Sequence, residues 1–113
     1  MRNMGKKNFK QGDVFLVKVE YKQAGTTKIR PVVIVSNDKA IDIDMIIAPV
    51  TGQAARNEFD VPIIKWKEAG LEKPSVARTS KIMMIHNSVL FKRIGELQSE
   101  DLENVLRKCR ECF

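Results

Sequence analysis

The run Arg30-Pro31-Val32-Val33-Ile34-Val35-Ser36 decides how the rest of this chain reads. Val32 to Val35 are all β-branched, the pattern of a buried strand. Pro31 has no N–H to give a ladder, so it belongs at the start of that strand or on an unpaired edge position. Upstream, Gly12-Asp13 opens a second apolar run, Val14-Phe15-Leu16-Val17-Lys18-Val19. The polar stretch 20–29, with Gly25, reads as the hairpin loop between the two. Downstream, Asn37-Asp38 marks a turn or cap. Met45-Ile46-Ile47-Ala48-Pro49-Val50 then gives a third strand, ending at Thr51-Gly52.

Further along the signals are shorter. Residues 53–58 form a polar surface loop carrying Arg56. Residues 59–64 suit a strand despite Pro62. Gly70 breaks the mixed stretch 66–71, and Ser75-Val76-Ala77-Arg78-Thr79 and residues 82–85 are short strands. Residues 92–97 connect onward, with room for one more strand. The period then changes. Leu102, Val105, Leu106 and Cys109 recur at helical spacing, which predicts a helix over 99–111 with Ser99 as its N-cap and Glu100 and Asp101 in its first turn. Five to seven short strands, a terminal helix and connections too short for strand-helix-strand crossovers predict a mainly β fold with α. The expected form is an antiparallel, partly closed barrel, and both SH3-like and OB-like barrels fit the pattern. Residues 1–10, with Arg2, Lys6, Lys7 and Lys10, read as a basic, flexible arm, and residues 11–113 as a single domain.

Composition narrows the function classes. A chain of 113 residues with 43% apolar and 30% charged side chains folds around one modest core. It is too short for a TIM barrel or a full dinucleotide-binding enzyme. No apolar run approaches the roughly 20 residues that span a bilayer. The basic N-terminus is not followed by the apolar core of a secretion signal. No membrane association is expected, and the expected location is the cytoplasm. Twenty Lys and Arg against fourteen Asp and Glu give a net charge of +6, which suits a polyanionic partner without requiring one.

Common catalytic motifs are absent: there is no GxxxxGK[ST], HExxH or GxSxG. Cys109 and Cys112 lie at the far end of the predicted helix, where a redox CxxC would open one. Cys109 reads as a small buried apolar residue and Cys112 as a fraying terminal one. With a single histidine, His86, they cannot form a four-ligand zinc site, so no metal or cofactor is expected. What remains is polar groups at the ends of buried strands: Arg30, Thr51, and Arg78 with Thr79. If these strands lie side by side, the groups converge on one rim. An Arg fork fits a phosphate, and a Thr hydroxyl donates or accepts. Taken alone, Arg30-Pro31 serves equally well in a surface ion pair.

Several stretches together resemble the MazF/PemK-like toxins of bacterial toxin–antitoxin pairs. They are Gly12-Asp13-Val14-Phe15-Leu16-Val17, Arg30-Pro31-Val32-Val33-Ile34-Val35-Ser36 and Ala48-Pro49-Val50-Thr51. Gly70-Leu71, Lys73-Pro74-Ser75-Val76 and Lys92-Arg93-Ile94-Gly95-Glu96-Leu97 follow in order. No piece is specific alone; the ordered set, over residues 11–110, is. The resemblance implies a small SH3-like antiparallel β-barrel with a C-terminal helix, a homodimer, and a metal-independent endoribonuclease that cuts single-stranded RNA at short sequences. It also implies an acidic cognate antitoxin.

By the same resemblance Arg30 and Thr51 are catalytic, and Arg78 matches an arginine that some relatives use. The implied chemistry is attack of the ribose 2′-OH on its neighbouring phosphate, leaving a 2′,3′-cyclic phosphate and a 5′-OH. Arg30 would clamp the phosphate and could donate a proton, and Thr51 would orient the 2′-OH or the phosphate. Threonine is a poor general base, which leaves that role to a carboxylate such as Glu20 or to a water. Where many relatives have Asp-Gln, this chain has Ser80-Lys81. Ser80 cannot act as a carboxylate base, whereas Lys81 would add a phosphate contact. Lys22, Lys28 and Arg56, on the loops beside the expected RNA groove, are candidate backbone contacts. Tyr21 is the candidate stacking platform, with Trp66 assigned to packing or to a partner. The alternative is a non-catalytic member of the same fold that binds nucleic acid or protein.

Overall fold

The structure, a computed structural model, describes residues 9–21 and 24–113. Its strands are β1 (Asp13–Tyr21), β2 (Thr26–Ile34), β3 (Asp44–Thr51), β4 (Asp60–Pro62), β5 (Val76–Arg78), β6 (Met83–His86) and β7 (Leu90–Glu96). One helix, α1 (Ser99–Glu111), ends the described chain, and no helix among the described residues is long and apolar enough to cross a membrane. All pairings are antiparallel, in the order β4-β5-β3-β2-β1-β7, with β6 added beside β3.

The sheet is open, which corrects the barrel expected from the sequence. A barrel requires each strand to be paired along both edges. Here β4 and β7 each pair on one side only, and β6 pairs only β3. The local reasons are visible. β4 and β5 are three residues long, and Pro62 removes a donor from β4. β3 divides one edge between two partners, β6 along Asp44–Ile47 and β5 along Val50–Thr51. At β7 the backbone of Gly95 lies against Ala69-Gly70, so close that a Cβ on either glycine would run into the other segment's carbonyl. Gly70 takes φ +89° to make that approach. A turn, rather than another strand, lies against this part of β7.

Two other expectations change. The polar stretch 20–29 is mostly strand: β1 runs to Tyr21 and β2 begins at Thr26, with Glu20 opposite Thr27. Pro31 is inside β2, opposite Leu16, and the β2–β3 ladder extends only from Ile34 to Val32, stopping beside the proline that has no N–H to continue it.

The unbroken apolar run of β2 is explained by burial on both faces. Val33 joins Val14, Val50, Ala77, Val105 and Cys109 in a core beneath α1. Val32 and Ile34 join Phe15, Val17, Met45 and Ile47 on the opposite face. Trp66, read as packing or partner-facing, packs partly buried against the first cluster. Ser99 is the first helical residue rather than the cap, a position that falls to Gln98. Asp101 is 2% exposed and accepts from the backbone N–H of Ile64 (3.1 Å) and Lys65 (2.9 Å), fastening α1 to the 64–70 turn. Cys112 is the C-cap of α1, and its Sγ donates to the Thr79 carbonyl at 3.5 Å.

Candidate active site

Side-chain alternation determines which groups share the face away from α1. On β1 they are Val17 and Val19, on β2 Arg30 and Val32, and on β3 Ile47, Pro49 and Thr51, as the registers Val17 to Arg30 and Val32 to Pro49 require. β6 adds Met83 and Ile85 through the pairs Ile47 to Met83 and Met45 to Ile85. Together these side chains enclose a cavity of about 540 Å³ with an apolar floor of Val17, Val32 and Ile47. Arg30, Thr51, Gln53 and Arg78 supply its polar groups. Three positions singled out in the sequence, Arg30, Thr51 and Arg78, therefore meet on one wall.

Their environments differ. Arg30 is exposed, and among the described residues its guanidinium has no hydrogen-bond or ion-pair partner. Arg78 is half-buried and donates from Nη2 to Gln53 Oε1 at 3.1 Å. The Gln53 N–H donates to Thr51 Oγ1 at 3.2 Å. Gln53 thus ties Thr51 to Arg78, a role that sequence reading missed because residues 53–58 looked like generic loop. The only detectable signal was its place two residues after Thr51, at hydroxyl-turn spacing. Glu20 is the one acidic residue lining this cavity, and it does so at the edge, since alternation sets it with Lys18 opposite Val17 and Val19. Lys18 lies over the Phe91 ring at 4.7 Å.

Other candidates fall elsewhere. Ser80 and Lys81 are exposed in the 3-10 turn Thr79–Lys81 and line no wall of this cavity. Arg56 is engaged with buried Asp60, its Nε 3.7 Å from Oδ2 and its backbone N–H donating to the same oxygen at 2.9 Å. Lys28 is exposed on β2 opposite Val19, also off this wall. Lys22 and the Tyr21 side chain lie outside the described residues. Among the described residues, no three His, Cys, Asp or Glu side chains are grouped to hold a metal ion.

A second cavity of about 530 Å³ adjoins the first. It shares Arg30, Pro31, Val50, Thr51 and Gln53 with it, and adds Lys73 and Ser75. Both volumes lie in the range of pockets that take small organic groups. The arrangement is a cationic rim with one hydroxyl, set between two cavities at the point where β2 and β3 part. Such a rim can hold a phosphodiester and offset the charge that builds up on it.

Comparison with known proteins identifies the family and the fold. A family model described as a PemK-like, MazF-like toxin of type II toxin–antitoxin systems matches residues 10–113. The fold resembles Mycobacterium tuberculosis toxin MazF-mt6 (TM-score 0.68, 21% identity), covering 88% of this chain and 95% of that one. It resembles an endoribonuclease in complex with its cognate antitoxin from a mycobacterial species (TM-score 0.74, 15% identity, 92% and 93% covered). It also resembles a MazE–MazF structure from Deinococcus radiodurans (TM-score 0.75, 19% identity, 91% and 94% covered). At these identities the structural likeness establishes the fold. No curated protein matches the chain.

Proposed function

This chain belongs to the PemK-like, MazF-like toxins of type II toxin–antitoxin systems, and from that premise we propose that it is a sequence-selective, metal-independent endoribonuclease acting on single-stranded RNA. The observation that carries this reading is the meeting of Arg30, Thr51 and Arg78 on one cavity wall. In the proposed reaction the 2′-oxygen forms a bond to phosphorus while the bond from phosphorus to the 5′-oxygen breaks. The products are a 2′,3′-cyclic phosphate and a 5′-OH. The nucleophile is already tethered beside its target, so proximity supplies much of the acceleration. Arg30, exposed and uncommitted, clamps the phosphate. Arg78, held by Gln53, adds a second cation. Thr51 orients the 2′-OH. Glu20, the acidic residue at the cavity's edge, or a water takes the 2′-OH proton, and the departing 5′-oxygen gains one from Arg30 or solvent.

The net charge of +6 suits both RNA and an acidic antitoxin competing for the same rim. We assign a homodimer as the working form. Among the described residues β6 pairs only β3; Met83 lines the cavity and is 53% exposed, and Met84, on the other face of the strand, is 65% exposed, so a second copy seated along this edge would cover both.

The test is incubation of the purified protein with long single-stranded RNA in excess EDTA. Cutting should persist and leave cyclic-phosphate ends. Failure to cut diverse RNAs overturns the enzyme reading, and a monomer mass in dilute solution overturns the dimer.

A further inference from the structure

Lys73 lines the second cavity together with Arg30, Thr51 and Ser75. Its side chain lies across the backbone immediately after Thr51. A Cβ on Gly52 would run into Lys73 Cε and stand 3.0 Å from Nζ. The Lys73 carbonyl accepts from Ser75 Oγ at 2.9 Å, but among the described residues its ammonium has no ion-pair or hydrogen-bond partner. Other basic side chains, such as Lys10, Arg56, Arg93, Arg107 and Lys108, are committed to the chain's own carboxylates. Arg30 and Lys73 are thus two uncommitted cations on either side of Thr51, in cavities that share a wall.

We infer that Lys73 binds a second backbone phosphate of the RNA, next to the one held at Arg30, and that Gly52 leaves the space for its side chain to do so. This rests on the proposed action on RNA. The second cavity then receives the nucleotide between the two phosphates. Holding the chain on both sides of the reacting phosphate restricts its torsions, which favours the in-line approach of the 2′-oxygen. Lysine suits the task as a compact point charge that follows the phosphate, while the Arg30 fork fixes the reacting one.

A single-stranded RNA of mixed sequence, 2′-O-methylated at every ribose so that it cannot be cut, is the probe. Its affinity is measured between about 50 and 200 mM salt. Each phosphate contact on a single strand contributes about 0.7 to the slope of log affinity against log salt. Lys73→Ala should flatten the slope by that amount, so its loss of affinity should narrow by about 2.6-fold across the range. Lys73→Arg should keep the slope. Gly52→Ala should lose affinity as Lys73→Ala does, and the double variant should lose no more. Lys65→Ala, exposed and outside both cavities, is the control.

A Lys73→Ala slope equal to that of the parent overturns the inference. The same slope with weakened binding of a polyglutamate peptide assigns Lys73 to an acidic protein partner, and also overturns it. Parallel assays on unmodified RNA separate the two readings. Cleavage with an unchanged slope sinks the Lys73 site alone. A Lys73-dependent slope without cleavage sinks the nuclease alone. No binding by the parent protein sinks both.

Discussion

Arg30 stands opposite Thr51 where the β2–β3 register, Val32 against Pro49, is carried past its last pair. The ladder stops there because Pro31 cannot donate. The two strands part, and the space between them forms the wall common to both cavities. The proline in the Arg-Pro pair therefore helps open the site that the arginine serves.

Arg30→Ala should lower RNA cleavage by about 100-fold or more, the usual cost of removing one donor from a developing oxyanion. The circular dichroism spectrum should not change, because Arg30 is exposed. Arg30→Lys should recover only part of the rate, since lysine lacks the planar fork. Undiminished cleavage by Arg30→Ala removes this residue from the mechanism.

Gln53→Ala releases Arg78 Nη2 and leaves Thr51 Oγ1 with a differently placed backbone donor. A loss of about tenfold in kcat is expected from misplacement of the two groups. Because Gln53 acts through Arg78, the double variant with Arg78→Ala should lose less than the product of the single losses. Fully multiplicative losses would show that the residues act independently.

Ser80→Ala should leave cleavage within about twofold, as is usual for an exposed residue away from the site. The side chain stands in the 3-10 turn and not on the cavity wall. A large loss of rate would give Ser80 a direct role.

Asp101→Ala should destabilise the fold by about 2–4 kcal/mol, since it strands two backbone N–H groups beneath a buried position. Urea unfolding should show a lower midpoint with an unchanged slope. A midpoint equal to that of the parent would mean that water replaces the carboxylate.

Burial pushes the Cys109 thiol from the ordinary 9.0 up to about 11, with Cys112 adding a smaller push. The folded state therefore keeps a proton that the unfolded chain releases. The stability tied to this group is intact below pH 9 and lost as pH climbs from 9 to 11. At pH 8 iodoacetamide should label Cys112 well before Cys109, as read by mass spectrometry of peptides. Equal labelling would contradict the burial of Cys109 beneath the sheet.

The strands at Val14, Val32 and Met45 and the terminal helix were legible because each carries an apolar run or period of its own. Arg30 and Thr51 were legible as polar groups at strand ends. Gln53 was not, because its role is a contact with Arg78, 25 positions along the chain. The acidic first turn of α1 could be read as a helix start, yet nothing local marked Asp101 as the acceptor for Ile64 and Lys65.

The sequence by itself determined that the apolar runs at Val14, Val32 and Met45 extend and where the helix lies, and it singled out Arg30, Thr51 and Arg78 as candidates at strand ends. Only the tertiary structure decided that the sheet stays open, and that β3 gives one edge to both β5 and β6. It also brought Arg78 and Lys73 to the strand end that already held Arg30 and Thr51. The physical reason is range. Strand and helix preferences act over a few neighbouring residues, whereas closure and convergence depend on which distant edges find hydrogen-bond partners. Here three-residue strands, Pro62 and the turn against Gly95 leave two edges without them.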